Sequence, residues 1–209
     1  EAAQVVVVGA HGVVAEDLVA GLDAVGRDDD GAVAAFEAQR VGSDVHFEGP
    51  VDVGDVVALG FRAFGGELPN LSGTRGLVRA ACAVAAHDTP GLQAGETLCA
   101  LDDIVKLVRR RTKSSSPQAL LAHLHDVLFE QLGFRGNAED YYSPDNSYLP
   151  QVVATRQGLP ITLSLVYKYV GIELGLIVHG INSPGHFLVA VESREGTREG
   201  LMLVDPFHG

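Results

Sequence analysis

Three polar side chains in the last third of the chain stand in an otherwise apolar frame: Thr162, His186 and Asp205. A hydroxyl, an imidazole and a carboxylate can serve as nucleophile, base and orienting group in covalent acyl transfer. The acid holds one imidazole nitrogen and the other takes the nucleophile's proton. Thr162 falls in the first turn of a helical pattern, where free backbone N–H groups and the positive dipole end suit an oxyanion. His186 opens a strand whose alternate positions continue through Leu188 and Ala190. Asp205 closes the next strand on the face of Leu201 and Leu203. Neighbouring antiparallel strands would set the two side by side. The same residues also read as a turn histidine, an Asp-Pro turn and an ordinary helix residue, and spacing alone does not choose between these.

Other polar groups offer other chemistry. The loop around Asp140, Tyr141, Tyr142, Asp145 and Asn146 could line a groove for an extended peptide, or be an Asx/Pro turn capping the next helix. His123 and His125 are two apart and point to different sides of a helix, whereas a metal pair wants four. No metal ligand set and no cofactor is expected. Cys82 and Cys99 sit in Ala/Leu-rich helical stretches and read as small core residues. Val5 to Val8 before Gly9-Ala10-His11-Gly12 lacks both phosphate-loop patterns and reads as an ordinary strand–turn–helix. The run Arg109 to Arg111 is a solvated helix end that complements the dipole.

The elements that must position these groups show in the periodicity. Glu96 to Arg111 places Leu98, Leu101, Val105 and Val108 on one stripe, with Ile104 beside them. Ser116 and Pro117 suit the N-cap and N1 positions of a helix that turns Leu120, Leu121, Leu124, Leu128 and Leu132 inward, until Gly133 stops it. A short helix, Tyr148 to Arg156, follows the aromatic loop. Ile161 to Leu174 is apolar nearly all round, a helix buried on most sides, so that Leu165→Asp is expected to unfold the domain. Three strands remain: Leu176 to Ile181, His186 to Glu192 and Leu201 to Asp205, with a turn at Asn182 to Gly185. Upstream, Thr74 to His87 is helical, Val13 to Val25 carries a helical pattern and Asp28 to Asp30 is a turn. Val41 to Phe64 does not separate strand from helix.

The chain has 209 residues, 15 basic against 27 acidic, for a net charge of −12. Hydrophobic content of 46% with 20% charged residues is that of a folded chain with a real core. The acidic balance argues against a nucleic-acid surface. No apolar run is long enough for a membrane span and no signal segment opens the chain. A soluble intracellular protein is expected, cytoplasmic, or organellar (plastid or mitochondrial) if a targeting peptide has been removed. The missing initial Met and the end at Gly209 suggest a processed or truncated fragment.

Five motifs stand in order: Phe134-Arg135-Gly136-Asn137, Asp140 through Leu149, Gly158-Leu159-Pro160-Ile161-Thr162-Leu163, Pro184-Gly185-His186-Phe187-Leu188-Val189 and Asp205-Pro206-Phe207. Together they resemble the SirB-type transglutaminase-like family, also found fused in an F-box protein. Ala80 to Arg111, with Leu101-Asp102-Asp103, resembles that family's N-terminal helices. The resemblance implies an α+β fold: a transglutaminase/papain-like core of helices on a small antiparallel sheet, with a helical N-terminal part. It divides the chain into an extension of uncertain fold, residues 1–70, and a family domain, residues 71–209, truncated at its C-terminus. It equates His186 and Asp205 with the family's His and Asp. It puts Thr162, or Ser164 if the register slips, where active transglutaminases keep Cys. A threonine hydroxyl ionises far less readily than a thiol and an internal one has no N-terminal amine to help it. The expectation is a non-catalytic interaction or regulatory module, with Asp140, Tyr141, Tyr142 and Asn146 binding a protein or peptide partner within a larger assembly. The alternative is an acyl-transfer enzyme or amide hydrolase using Thr162 or Ser164 with His186 and Asp205.

Overall fold

A helix that is apolar nearly all round can be stable only if other elements cover most of it, and the fold is built around one such helix. The structure, a computed structural model, describes residues 40–41, 44–45, 53–86, 88–89, 92–195 and 198–209. The strand, helix and acidic turn expected between Val5 and Asp30 lie outside the described residues. Where strand and helix could not be separated, Arg40–Val41 (β1) pairs with Asp44–Val45 (β2), and Val53–Glu67 is a helix (α1). Then come α2 (Thr74–Ala85), α3 (Ala94–Arg111) and α4 (Pro117–His125). After the aromatic loop follow α5 (Leu149–Thr155) and the surrounded helix, α6 (Pro160–Glu173). Three antiparallel strands complete the α+β fold, β5 (Val178–Ser183), β6 (His186–Glu195) and β7 (Arg198–Val204), in that order across the sheet.

Val166, Tyr167, Tyr169 and Val170 of α6 are all within 1% of full burial. Each buried tyrosine hydroxyl needs a partner. Tyr169 donates to Asp102 of α3 at 2.7 Å, and Arg75 of α2 meets the same carboxylate at 2.8 Å. Tyr167 meets His125 Nε2 at 2.8 Å. On the sheet side, a Cβ on Gly171 would lie 2.8 Å from a methyl of Val178. At 100° per residue, Ser164 shares the sheet-facing stripe with Gly171, and Thr162 shares the opposite, helix-facing side with Tyr169. The sheet covers that helix with Val178, Val189, Val191 and Val204, each no more than 5% exposed.

Several expected details differ. Leu165 packs against the core from its margin while its neighbour Val166 is 1% exposed, so the centre of burial lies one residue further on. The helix expected to run from Pro117 to Leu132 widens into a π segment, Asp126–Gln131, with Leu132 N–H bonded to the Val127 carbonyl. The wider turn sets the adjacent Val127 and Leu128 both inward. Ser116 precedes α4 as expected, but its hydroxyl donates to Gln118 Oε1 instead of capping the helix. Two short strands had no signal: Arg135–Gly136 (β3) pairs in parallel with Gln157–Gly158 (β4). Among the described residues no helix is long and apolar enough to cross a membrane.

Candidate functional site

The β5–β6 hairpin closes on Pro184-Gly185, with Ser183 opposite His186 and Gly185 at a φ of 73° that favours glycine. His186 is thereby the first residue of β6. Across the sheet Val189 pairs with Val204 and Ala190 with Leu203, so alternation puts His186, Ala190, Leu203 and Asp205 on one face. His186 Nε2 lies 2.8 Å from Asp205 Oδ2. Its Nδ1 makes no hydrogen bond to another of the described residues. Such a pair has the geometry of a base held by its orienting carboxylate.

Asp205 does more than hold His186. Its Oδ2 also meets His208 Nδ1 at 2.8 Å, and its Oδ1 accepts the Phe207 N–H at 3.0 Å. Burial alone would raise the Asp205 pKa, but the hydrogen bonds from His208, His186 and the Phe207 amide outweigh it and hold the carboxyl below its ordinary range.

The turn carrying these groups is docked by backbone. Gly136 N–H donates to the Phe207 carbonyl at 2.8 Å, and the Phe207 ring lies where a Gly136 side chain would begin, 2.3 Å from the site of its Cβ. Gly136 pairs with Gly158, two residues before α6 begins. The His–Asp pair is thus tied, through Phe207 and β3, to the start of the surrounded helix. Phe207 also meets the edges of His186 and Tyr141 with centroids 6.1 and 6.0 Å apart, and Tyr141 meets Tyr142 at 5.4 Å. Tyr142 is 89% exposed, so an aromatic row runs from solvent to the imidazole.

Of the loop residues, Tyr141, Tyr142 and Asp140 face outward and Asn146 does not. Asn146 is 3% exposed, and its amide donates to the carbonyls of Asp140 and Tyr141 while accepting from Asn137. It shapes the loop that presents Tyr141 and is out of a partner's reach.

Thr162 is not brought to His186. Its hydroxyl is shared between the carbonyls of Asn146, at 2.8 Å, and Leu159, at 3.0 Å. It sits against Gly158. Ser164, on the sheet-facing stripe, is 2% exposed and its Oγ has no hydrogen-bond partner among the described residues. Neither cysteine supplies the missing thiol. Cys82 is buried in α2, with desolvation pushing its pKa up to about 11, and Cys99 is exposed on α3. His208 was not singled out in the sequence, though its place three residues after Asp205 was a usable signal.

The chain is similar in sequence to several known proteins. A UPF0162 protein of Xylella fastidiosa is 35% identical over 134 residues, 64% of this chain and 46% of the relative. A UPF0162 protein of Haemophilus influenzae is 31% identical over 107 residues, 49% of this chain and 39% of the relative. F-box only protein 21 of Mus musculus is 43% identical over 70 residues, 34% of this chain and 11% of that protein. The chain spans less than half the length of the Xylella relative it matches. No solved structure matches it. The model of the transglutaminase-like superfamily matches residues 96–209, more than half of the chain and all of the site, and the chain belongs to that superfamily.

Proposed function

We propose that the chain is a non-catalytic transglutaminase-like module that holds an extended segment of a protein partner along the row Tyr142, Tyr141, Phe207 beside His186. The observation that carries this reading is the hydroxyl of Thr162, spent on the backbone carbonyls of Asn146 and Leu159. A nucleophile must give its proton to the base, and this one is committed elsewhere. The exposed tyrosines supply the amphipathic contact area that interfaces favour. In F-box only protein 21 the similar region is a small part of a larger protein, in keeping with use as a module.

The test has two arms. Wild-type protein is incubated with glutamine-containing peptides and a fluorescent amine, and no incorporation is expected. A displayed peptide library is then selected against wild type and Tyr142→Ser, with enrichment expected for wild type alone. Incorporation that His186→Ala abolishes overturns the reading.

One observation favours a second reading, an acyl-transfer or amide-hydrolase activity. His186 keeps its carboxylate at 2.8 Å and leaves Nδ1 without a hydrogen bond among the described residues. In that reading Thr162 must rotate away from its carbonyls, or Ser164, buried and without a partner among the described residues, must be the attacking hydroxyl.

A further inference from the structure

We propose that His186, Asp205 and His208 form a site for a divalent transition metal of the zinc class, which clamps the turn after β7 to the start of β6. The three groups each offer one ligand atom, and these atoms all lie within 4.8 Å of one another. The approach is convergent: His186 Nε2 and His208 Nδ1 each stand 2.8 Å from the same oxygen, Asp205 Oδ2. Two imidazoles and a carboxylate suit zinc, cobalt and nickel, and not the all-oxygen shells of calcium or magnesium.

Receiving the ion requires the imidazoles to retreat from the carboxylate and, from within 4.8 Å of one another, to settle at the spacing a tetrahedron sets. Bonds of about 2.0–2.1 Å in a tetrahedron set ligand atoms about 3.3 Å apart, so each histidine retreats from Asp205 by about half an ångström as the metal replaces the shared protons. His208 can move, since its side chain is 72% exposed on a turn three residues from the carboxylate. Asp205 is already oriented, because Oδ1 is held by the Phe207 N–H while Oδ2 faces the histidines; such outer bonds fix ligating carboxylates. No lysine or arginine among the described residues pairs with Asp205. Three protein ligands leave a fourth position for water or a partner's side chain. The site stands whether or not a peptide occupies the aromatic row.

The experiment uses the whole chain, stripped with a chelator and titrated with Zn²⁺ by calorimetry and with Co²⁺ by visible absorption. One equivalent is expected to bind, with a tetrahedral Co²⁺ spectrum and a rise in melting temperature on adding Zn²⁺. His208→Ala is expected to weaken binding at least tenfold and to remove the rise in melting temperature. That side chain lies outside the core, so folding is not at issue, and circular dichroism confirms it. Asp205→Asn is expected to weaken binding likewise. His179→Ala, which removes an exposed histidine paired with Glu192, is expected to leave it unchanged. Absence of binding at millimolar Zn²⁺, or binding that His208→Ala leaves intact, overturns the proposal. Peptide selection on the metal-free protein separates its failure from that of the peptide reading.

Discussion

A hydroxyl becomes a nucleophile only when a base receives its proton, and at Thr162 two carbonyls already do. Replacing the side chain by a better nucleophile should therefore not restore chemistry. Thr162→Cys is expected to alkylate with iodoacetamide no faster than an ordinary buried thiol, and to transfer no acyl group. Fast alkylation that His186→Ala abolishes would show that the position faces the imidazole after all. Thr162→Val keeps the shape and loses one hydrogen bond, and Asn146 O retains the Leu159 N–H at 3.2 Å, so a cost of about 1 kcal/mol is expected in urea unfolding. A second residue-scale prediction concerns acid. Burial lowers the pKa of His125, whose Nε2 meets the Tyr167 hydroxyl. In the unfolded chain a histidine titrates near about 6.5, so its neutral form is favoured by folding. That contribution is complete above about pH 6.5 and is lost as pH falls through the lower folded value. The urea midpoint is expected to fall between pH 7 and pH 5, with His125→Gln flattening the fall; an unchanged slope in the variant would assign it to other groups. The lowered Asp205 pKa acts in the same direction at more acid pH.

Short elements with little stability of their own hold the site. β3 and β4 are two residues each, and they work because glycine lets backbone and ring approach. A Gly136→Ala methyl would lie 2.3 Å from the Phe207 ring, and the turn bearing Asp205 and His208 must shift with that ring. The expected result is a folded protein with weakened Zn²⁺ binding and weakened peptide selection, read by the same titrations. Gly158→Ala puts its methyl 2.8 Å from both Thr162 Oγ1 and Val152 in the core, and overpacking of this kind costs about 1–3 kcal/mol, visible as a lower melting temperature. These elements also mark the limit of what the sequence discloses. The helices from Thr74 onward were legible because apolar spacing records a buried face. The meeting of His186 and Asp205 follows from alternation on two antiparallel strands. The β3–β4 pair was not legible, being a backbone contact between segments about twenty residues apart with no side-chain pattern. Arg156, at a φ of 63° between α5 and β4, carries no glycine signal for the left-handed turn it makes. The orientation of Thr162 was hidden for a different reason: a helix apolar on nearly all sides does not say which side meets the sheet.

The burial of most of that helix governs the whole molecule. Helices α2, α3, α4 and α5 and the sheet all contact α6, so the packing around it and the positions of the site segments are one structure. Leu165 and Val166 look equivalent in the sequence, yet Leu165 sits at the margin of the core and Val166 is 1% exposed. An unpaired charge in a dry interior costs several kcal/mol, a large part of the roughly 5–15 kcal/mol by which a domain is stable, whereas at a margin it can reach water. Val166→Asp is expected to abolish the cooperative thermal transition and the near-ultraviolet dichroism of the buried tyrosines. Leu165→Asp is expected to keep both, with a lower melting temperature, and to keep Zn²⁺ binding because the turn after β7 stays docked. If the two substitutions were equally damaging, α6 would be enclosed on all sides and its margin would not exist. If Val166→Asp melted like wild type, α6 would not be the centre of the fold, and the docking of the site through β3 and β4 would lose its support.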